Sequence, residues 1–254
     1  MDYWDYGEDI FPRRALAEEA MTTIARLHTP EGFAVAADGR MAYGTRVASD
    51  EAQKIVSLRH ACGVMSCAGF GVGKIGMRSF TDIAQAAIRC IDLNPINYEQ
   101  HLANLGEAIR RSSGKFPIRS ASPVDSNTTI LHLDGYFRDL PIRGRIVLSH
   151  DAIQGTKCET RVEELTTGEL RFLGLPELRE EVCPRGKVTT LEHAIEIVKT
   201  AITAHYSERA MLLRPDIAEI VWPFGGHMHA ATITPTNGFR WIIPPKTVGG
   251  GCRV

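Results

Sequence analysis

The stretch "EEAMTTIARLHTPEGFAVAADGRMAYG", residues 18–44, decides how the whole chain is interpreted. It holds two short runs of β-branched and apolar residues, "TTIARLH" and "GFAVAAD", separated by the turn signal Thr-Pro-Glu-Gly. The second run is apolar on both faces, as is typical of a strand that is covered on each side. Strand formation does not explain the threonine pair that opens the first run. Nor does it explain the acid and the base, Asp38 and Arg40, that come after the second run, so these residues call for a chemical explanation.

The composition is that of an ordinary folded domain. The chain has 254 residues, 44% of them apolar, with 29 basic and 30 acidic residues and a formal net charge of -1. A chain of this length can build a core without disulfide bonds or a structural metal. No basic stripe indicates a nucleic-acid partner, and no apolar run approaches the roughly 20 residues of a membrane-spanning helix. We therefore expect a cytoplasmic protein with reduced, buried cysteines and with no nucleic-acid or membrane partner.

Strands and helices are predicted in blocks along the chain. Because they do not alternate as βαβ units, the order favours a layered α+β domain with antiparallel sheets. The polar span 155–186 shows no clear periodicity. After the opening pair of strands, the pattern predicts strands over 59–71, 128–137 and 144–153, helices over 79–92, 98–112 and 189–206, and a final hairpin over 229–245 around an Asn-Gly turn.

Two boundaries are predicted with these elements. Residues 1–21 are acidic and aromatic, differ in composition from the rest of the chain, and lack the apolar segment of a secretory signal, so they are interpreted as an extension or leader. Residues 22–254 form a single domain. Within it, Thr189 and Glu192 match a capping box at the start of the last long helix.

A threonine at a chain terminus has a chemical use that an internal threonine lacks. Its hydroxyl is a weak nucleophile, but its own α-amino group, with a reference pKa near 8, can serve as the base. A nearby positive charge would keep that amine partly neutral, and a carboxylate would hold the charge in place. The sequence supplies both groups: Asp38 after the second strand, and Lys54 in "SDEAQKIV".

The stretch 22–58 resembles the start of proteasome β subunits and of the bacterial peptidase that works with an ATPase unfoldase. Both are N-terminal-nucleophile hydrolases. The family pattern is a leading threonine, an aspartate 16 residues on, an arginine two further, and a lysine 16 residues after the aspartate. Thr22, Asp38, Arg40 and Lys54 fit this register without a gap.

The resemblance implies a fold and a mechanism. The expected fold is a four-layer αββα sandwich, with two antiparallel sheets face to face and helices outside. Thr22 would attack an amide carbonyl, Lys54 would tune the amine, and Asp38 would orient Lys54. Gly69 in "CAGFG" would donate its N–H to the oxyanion once a one-residue insertion is allowed. Arg40 would give structural support by pairing with the carboxylate or a backbone carbonyl.

The resemblance also implies partners. The expected substrate is a peptide or another small amide, and no cofactor or metal is expected. Members of the family form rings, so a homo-oligomer is expected, with an ATPase unfoldase as a further candidate partner.

The α-amine of Thr22 must be free for this chemistry. Two routes stay open: residues 1–21 are a leader removed by self-cleavage, or translation begins at Met21 and an aminopeptidase removes that methionine. Family precursors are usually cut after glycine, whereas this chain has Met21 there. The start Met-Thr-Thr-Ile matches that of the bacterial relative and favours the second route.

A non-catalytic structural or assembly subunit is the competing interpretation. The family also has a supporting aspartate shortly before the glycine that matches Gly225-Gly226, and a serine at the end of an earlier strand. Here the nearest acids, Asp216 and Glu219, lie too far upstream, and the candidate segment "RFLGLPEL" has no serine.

Two further motifs indicate other chemistry. Gly71, Gly73 and Gly76 form G-x-G-x-x-G within the stretch 69–76, which suggests a nucleotide-binding loop, but the best helix cap, at residue 79, lies beyond the last glycine. His227 and His229 form His-x-His, a spacing found in zinc sites, with no third ligand at a recognisable spacing.

Overall fold

The computed structural model describes residues 22–43, 46–60, 63–70, 74–75, 78–88, 91, 95–113, 127–151, 155–219 and 221–246. The predicted leader, residues 1–21, lies outside this part of the chain. So do Gly71, Gly73 and Gly76, so the nucleotide-loop hypothesis also falls on residues outside the described ranges.

The elements follow the block order predicted from the sequence, but the single strand predicted over 59–71 is wrong: the structure has two antiparallel strands there, Ile55–His60 and Gly63–Phe70, because the chain turns back between His60 and Gly63. The strands are β1 (Ile24–Thr29), β2 (Gly32–Ala37), β3 (Met41–Tyr43), β4 (Arg46–Ser49), β5 (Ile55–His60), β6 (Gly63–Phe70), β7 (Lys74–Ile75), β8 (Arg78–Ser79), β9 (Asn127–Phe137), β10 (Leu140–Asp151), β11 (Gly155–Val162), β12 (Leu170–Leu173), β13 (His229–Thr234) and β14 (Gly238–Ile243). The helices are α1 (Phe80–Ile88), α2 (Tyr98–Ser113), α3 (Arg179–Val182), α4 (Leu191–Ala204), α5 (Glu208–Leu213) and α6 (Pro215–Ala218), with a 3₁₀ turn over Pro176–Leu178.

In the described part of the chain, these strands form two five-stranded antiparallel sheets. The first sheet has the order β12-β1-β2-β13-β14, and the second has the order β11-β10-β9-β6-β5. Two short ribbons, β3-β4 and β7-β8, complete the pairing. The chain is therefore a mixed α and β protein with antiparallel sheets, as the block order predicted.

The apolar side chains explain how sheets and helices are covered. Successive residues of β1 point to opposite faces. Ile24 packs in a cluster with Phe33 of β2 and with Ile55 and Tyr136 of the second sheet, so this cluster joins the two sheets. On the other face, Leu27 packs with residues of α4. Both faces of β1 and β2 are thus buried, as their continuous apolar pattern predicted.

The second sheet has its own helical cover. One core cluster joins residues of β5, β9 and β10 with residues of α1 and α2, including Ile83 of α1 and Leu102 and Leu105 of α2. The apolar spacing of the two predicted helices therefore marks the faces that contact this sheet.

The start of α4 differs by one residue from the capping box in the sequence. Thr190, not Thr189, is the N-cap, and its hydroxyl accepts a hydrogen bond from the N–H of His193 at 3.3 Å. The prediction was wrong by one position because two adjacent threonines are equally good caps, so the sequence does not distinguish between them.

None of the described helices is both long enough and apolar enough to cross a membrane.

Candidate active site

Asp38 is the centre of a cluster of polar contacts at the end of β2. The residue is fully buried. Its Oδ1 accepts from the hydroxyl of Thr22 at 3.0 Å, from the N–H of Thr23 at 2.9 Å and from Nζ of Lys54 at 2.5 Å. Its Oδ2 accepts from the N–H of Gly225 at 3.1 Å. Three of the residues predicted from the sequence therefore meet at one carboxylate oxygen.

The β1–β2 pairing explains the spacing of 16 residues between Thr22 and Asp38. The antiparallel register sets Ile24 opposite Ala37, and the N–H of Asp38 donates to the carbonyl of Thr23 at 3.2 Å. A tight hairpin of two six-residue strands thus returns the chain to its own start. The hairpin alone therefore places the Asp38 carboxylate beside Thr22 and Thr23.

Lys54 comes from the other sheet, directly before β5. Only 10% of its side chain is exposed, and that of Asp38 is not exposed at all. Burial lowers the pKa of Lys54 from its ordinary value, because removal from water disfavours the ammonium, while the charge and hydrogen bond of Asp38 act in the opposite direction. The pair is therefore a buried ion pair with both partners in direct contact.

Arg40 supports the loops around the site. Its Nε contacts Oδ1 of Asp50 at 2.6 Å, and its Nη1 donates to the carbonyl of Trp222 at 3.2 Å. Of the two expected partners, Arg40 has a backbone carbonyl, that of Trp222, and the carboxylate that it contacts is Asp50 instead of the expected Asp38. The N–H groups of Gly39 and Arg40 both donate to the carbonyl of Gly225, at 3.1 and 2.8 Å.

Glycines allow the three loops of the site to approach one another. A Cβ at Gly39 would lie 2.6 Å from the carbonyl oxygen of His227 and 2.7 Å from that of Asp50. Gly226 has φ of +74°, and a Cβ there would collide with the carbonyl of Asp50. The glycine pair that the resemblance matched to the family thus closes the loop that holds the Asp38 carboxylate.

His229 also belongs to the site, although the sequence indicated it as a candidate zinc ligand. Its Nε2 accepts from the N–H of Lys54 at 3.0 Å and from that of Ile55 at 3.2 Å. Nε2 of His227 lies 2.8 Å from the carbonyl of Pro244. Both rings of the His-x-His pair therefore bond to backbone groups. Among the residues that the structure describes, no group of three or more His, Cys, Asp or Glu could hold a metal ion.

Gly69 lies in β6, next to the strand that comes after Lys54. The antiparallel register pairs Ile55 with Ala68, so continuing it by one residue sets Gly69 across from Lys54. The two residues thus lie at the same end of the second sheet. The role of Gly69 as an oxyanion donor stays a prediction.

Long-range contacts bring further residues to the site, and the sequence had indicated only one of them, Gly225, for a place near it. Gly225, His229 and Asp50 each bond to a residue of the cluster, and the first two are separated from their partners by 187 and 175 positions. A helpful signal was the glycine pair Gly225-Gly226, because glycines in a row before a strand indicate a close approach of backbone.

Comparisons with known proteins identify the fold. No family model matches the sequence, and no curated protein matches it. Among solved structures, Anbu (ancestral beta-subunit) from Yersinia bercovieri matches with a TM-score of 0.55 and 16% sequence identity, over 87% of this chain and 87% of that one. Likeness at this level of identity concerns the fold alone. The chain has a proteasome-β-like fold.

Proposed function

We propose that the chain is a threonine-type N-terminal-nucleophile hydrolase that cleaves peptide or other amide bonds once Thr22 is the first residue. The observation that carries the proposal is the convergence of the Thr22 hydroxyl, the Thr23 N–H and the Lys54 ammonium on one oxygen of Asp38. A buried carboxylate, a buried ammonium and a threonine at the start of a strand are the groups that such chemistry requires.

The proposed reaction proceeds in two acyl transfers. The Thr22 oxygen bonds to the amide carbonyl carbon while its proton passes to the α-amine of the same residue, directly or through a water. The resulting ammonium gives that proton to the leaving nitrogen as the C–N bond breaks, which leaves an ester on Thr22. Water then attacks the ester, the amine takes a proton from it, and the proton returns to the threonine oxygen as the ester bond breaks.

The surrounding groups have separate parts in this mechanism. The charge of Lys54 lowers the pKa of the free amine, so that more of it is neutral and able to accept a proton. Asp38 holds Lys54 in place, and Arg40 holds the loops that bear Asp38 and Asp50. The N–H of Gly69 would stabilise the oxyanion, and loss of one such donor typically lowers kcat by about 10²–10³-fold.

The proposal includes the wider properties of the family that the sequence resembles. These are a four-layer αββα arrangement, assembly into a homo-oligomer such as a ring, a cytoplasmic location and an ATPase unfoldase as a candidate partner. Size-exclusion chromatography with light scattering tests the assembly, and a mass equal to one chain would contradict it.

Hydrolysis by a chain that starts at Thr22 tests the activity. This chain is prepared by cutting a fusion protein so that residue 22 is first, and it is compared with an uncut chain that keeps Met21. We expect the first to release a fluorophore from short peptide amides and the second to be inactive. Thr22→Ser should keep part of the activity and Thr22→Ala none. Equal rates for the cut and uncut chains would contradict the proposal.

A non-catalytic scaffold is the second candidate, and one observation favours it. Both oxygens of Asp38 are already occupied by hydrogen bonds, and the hydroxyl of Thr22, a residue only 5% exposed, donates its hydrogen bond to that carboxylate and not to an amine. Such a cluster also serves to join loops. Mass spectrometry of the protein from its native source separates the two candidates: a chain that begins at Thr22 supports catalysis, and a chain that keeps Met21 supports the scaffold.

A further inference from the structure

His229 connects the two strands that supply the charged pair of the site. Its backbone is in β13, where it pairs with Ala37, the residue directly before Asp38. Its side chain extends to the other sheet and contacts the backbone N–H groups of Lys54 and Ile55. One buried residue therefore joins β2, which Asp38 directly follows, to β5, which Lys54 directly precedes.

The hydrogen bonds define the form of the imidazole. Nε2 accepts from the N–H of Lys54 at 3.0 Å and from that of Ile55 at 3.2 Å, so this nitrogen carries no proton. The proton is then on Nδ1, which lies 3.4 Å from the carbonyl oxygen of His227. His229 is 1% exposed, and its ring lies edge-on to the ring of Trp241. It is a neutral acceptor in a fixed orientation.

The surroundings of His229 keep its imidazole neutral at neutral pH. Burial lowers the pKa of His229 to about 3, and the charges of Lys54 and His227 disfavour a further proton, while the bond to the His227 carbonyl acts the other way. The ring therefore accepts these two hydrogen bonds without interruption at neutral pH.

We infer that His229 is a positioning residue for Lys54: its imidazole fixes the backbone from which the lysine side chain reaches Asp38 and, in the proposed mechanism, acts on the amine of Thr22. The inference rests on the proposed function for its catalytic consequence. Lys54 directly precedes β5, and the acceptor for its N–H is this imidazole on the other sheet. Without the imidazole, the N–H groups of Lys54 and of the buried Ile55 lose their partner, and this segment shifts to find another.

The first test replaces the acceptor in a chain that begins at Thr22. His229→Leu removes the acceptor, whereas His229→Gln keeps an acceptor oxygen at a similar reach. The readout is the pH dependence of acetylation of the Thr22 amine by acetic anhydride, measured by mass spectrometry, which needs no substrate. We expect the amine of the leucine variant to titrate at higher pH, by roughly half a pKa unit for each ångström by which Lys54 withdraws. The glutamine variant should follow the parent chain.

His205, whose ring bonds to the backbone of Leu175 and Ala201 rather than to Lys54 or Ile55, offers a matched control. It is also fully buried, its Nε2 accepts from the N–H of Leu175 at 2.9 Å, and its Nδ1 lies 2.8 Å from the carbonyl of Ala201. His205→Leu removes the same kind of backbone contact, so it should lower the melting temperature in the same way. It should leave the titration of the Thr22 amine unchanged.

Hydrolysis of a peptide amide gives the second readout. In the leucine variant at position 229, the acid limb of the kcat/KM profile should move to higher pH together with the amine titration, and kcat should fall more than KM changes. The glutamine variant should restore both. If His229→Leu does not fold, His229→Asn, whose oxygen is one bond short of the N–H groups, should give a smaller shift in the same direction.

The outcomes separate this inference from the proposed function. An unchanged amine titration in folded His229→Leu or His229→Asn, or equal shifts in these and in His205→Leu, would overturn the inference. A shifted titration in a parent chain that hydrolyses nothing would support the positioning role while the proposed hydrolase function fails.

Discussion

Lys54 has one-tenth of its side chain exposed and faces a carboxylate that has no exposure at all. Removal of one partner from such a pair leaves an uncompensated buried charge, which typically costs about 3–5 kcal/mol. The same ammonium is proposed to keep the Thr22 amine neutral. The residue therefore connects stability with activity at one position.

Lys54→Met should lower both quantities in the chain that begins at Thr22. We expect the free energy of unfolding to fall by about 3 kcal/mol and hydrolysis to fall by about 10²-fold or more, because the carboxylate loses its counter-charge and the amine its neighbour. Urea unfolding and peptide-amide hydrolysis measure the two effects. Lys199→Met, in an exposed pair with Glu196 on α4, is the matched control and should change stability by less than about 0.5 kcal/mol. Equal effects of the two substitutions would contradict this prediction.

His229 should make stability depend on pH below neutrality. Its pKa in the folded chain is lowered to about 3, against an unfolded value of 6.5, so between these values the unfolded chain binds the additional proton. Stability is therefore lost as the pH falls through this window. Between pH 4 and pH 6, the parent chain should lose about 1.4 kcal/mol per pH unit more than His229→Gln does.

Urea unfolding across that pH range measures the difference in slope. The control is His193→Gln, since the side chain of His193 is exposed at the start of α4. This control should keep the slope of the parent chain. If His229→Gln also keeps it, the buried neutral imidazole is not the source of the dependence.

At the scale of elements, the site depends on how closely three loops approach. Gly226 lies in the segment before β13 with φ of +74°, and its missing Cβ leaves room for the carbonyl of Asp50. The neighbouring N–H of Gly225 reaches Oδ2 of Asp38. A substitution in this segment should therefore alter the contacts of the Asp38 carboxylate.

Gly226→Ala should destabilise the protein by about 2 kcal/mol or more, because left-handed backbone strain adds to a collision with backbone. The control is Gly186→Ala, where a Cβ would meet nothing within 4 Å, and it should stay within about 0.5 kcal/mol of the parent chain. Thermal melting of both variants measures the difference. A melting temperature for Gly226→Ala that equals that of Gly186→Ala would show that the loop does not fit as described.

The elements that the sequence predicted are those with a strong period. The helices α1, α2 and α4 and the hairpins β1-β2 and β13-β14 were predicted because a one-sided or fully covered surface leaves a regular pattern. The sheet-edge strands β11 and β12 were not, since they lie in the polar span 155–186. The exposure of β11 alternates only weakly along the strand, so its sequence shows little of the apolar pattern that a core produces.

At the scale of the whole molecule, a buried charge cluster joins the two sheets away from the candidate site. Asp134 of β9 contacts Nη1 of Arg26 in β1 at 3.1 Å and Nε of Arg143 in β10 at 2.6 Å. Burial alone would raise the pKa of Asp134, but the two guanidinium groups outweigh it and hold that pKa below its usual range. The cluster therefore contributes most above the usual pKa of an aspartate and is lost as the pH falls.

Asp134→Asn should destabilise the fold by about 3–5 kcal/mol, because two buried guanidinium groups lose their shared counter-charge. Glu107→Gln removes the acid of an exposed group with Arg110 and Arg111 on α2, and it should cost less than about 1 kcal/mol. Denaturant unfolding gives both values. Similar losses in the two variants would mean that the inter-sheet cluster adds little to the stability.

The sequence predicted the local half of the candidate site and not the long-range half. Thr22 and Asp38 meet because one hairpin joins them, and the matching 16-residue step to Lys54 indicated the third partner. The contacts from Gly225 and His229 depend on β13 lying beside β2, which no spacing in the sequence reveals. The His-x-His spacing suggested a metal site because the ring nitrogen that accepts a hydrogen bond from a backbone N–H is the same kind of atom that binds a metal.

Trapping the acyl group on Thr22 tests whether the hydroxyl and the amine of this residue act together. A chain that begins at Thr22 is incubated with an activated ester of a short peptide, and the site of acylation is mapped by mass spectrometry. We expect one peptidyl group on the Thr22 oxygen. This group should be absent in Thr22→Ala, strongly reduced in Lys54→Met, and absent in an uncut chain that keeps Met21. Acylation at other residues alone, or equal acylation of the cut and uncut chains, would contradict the joint role of the hydroxyl and the amine.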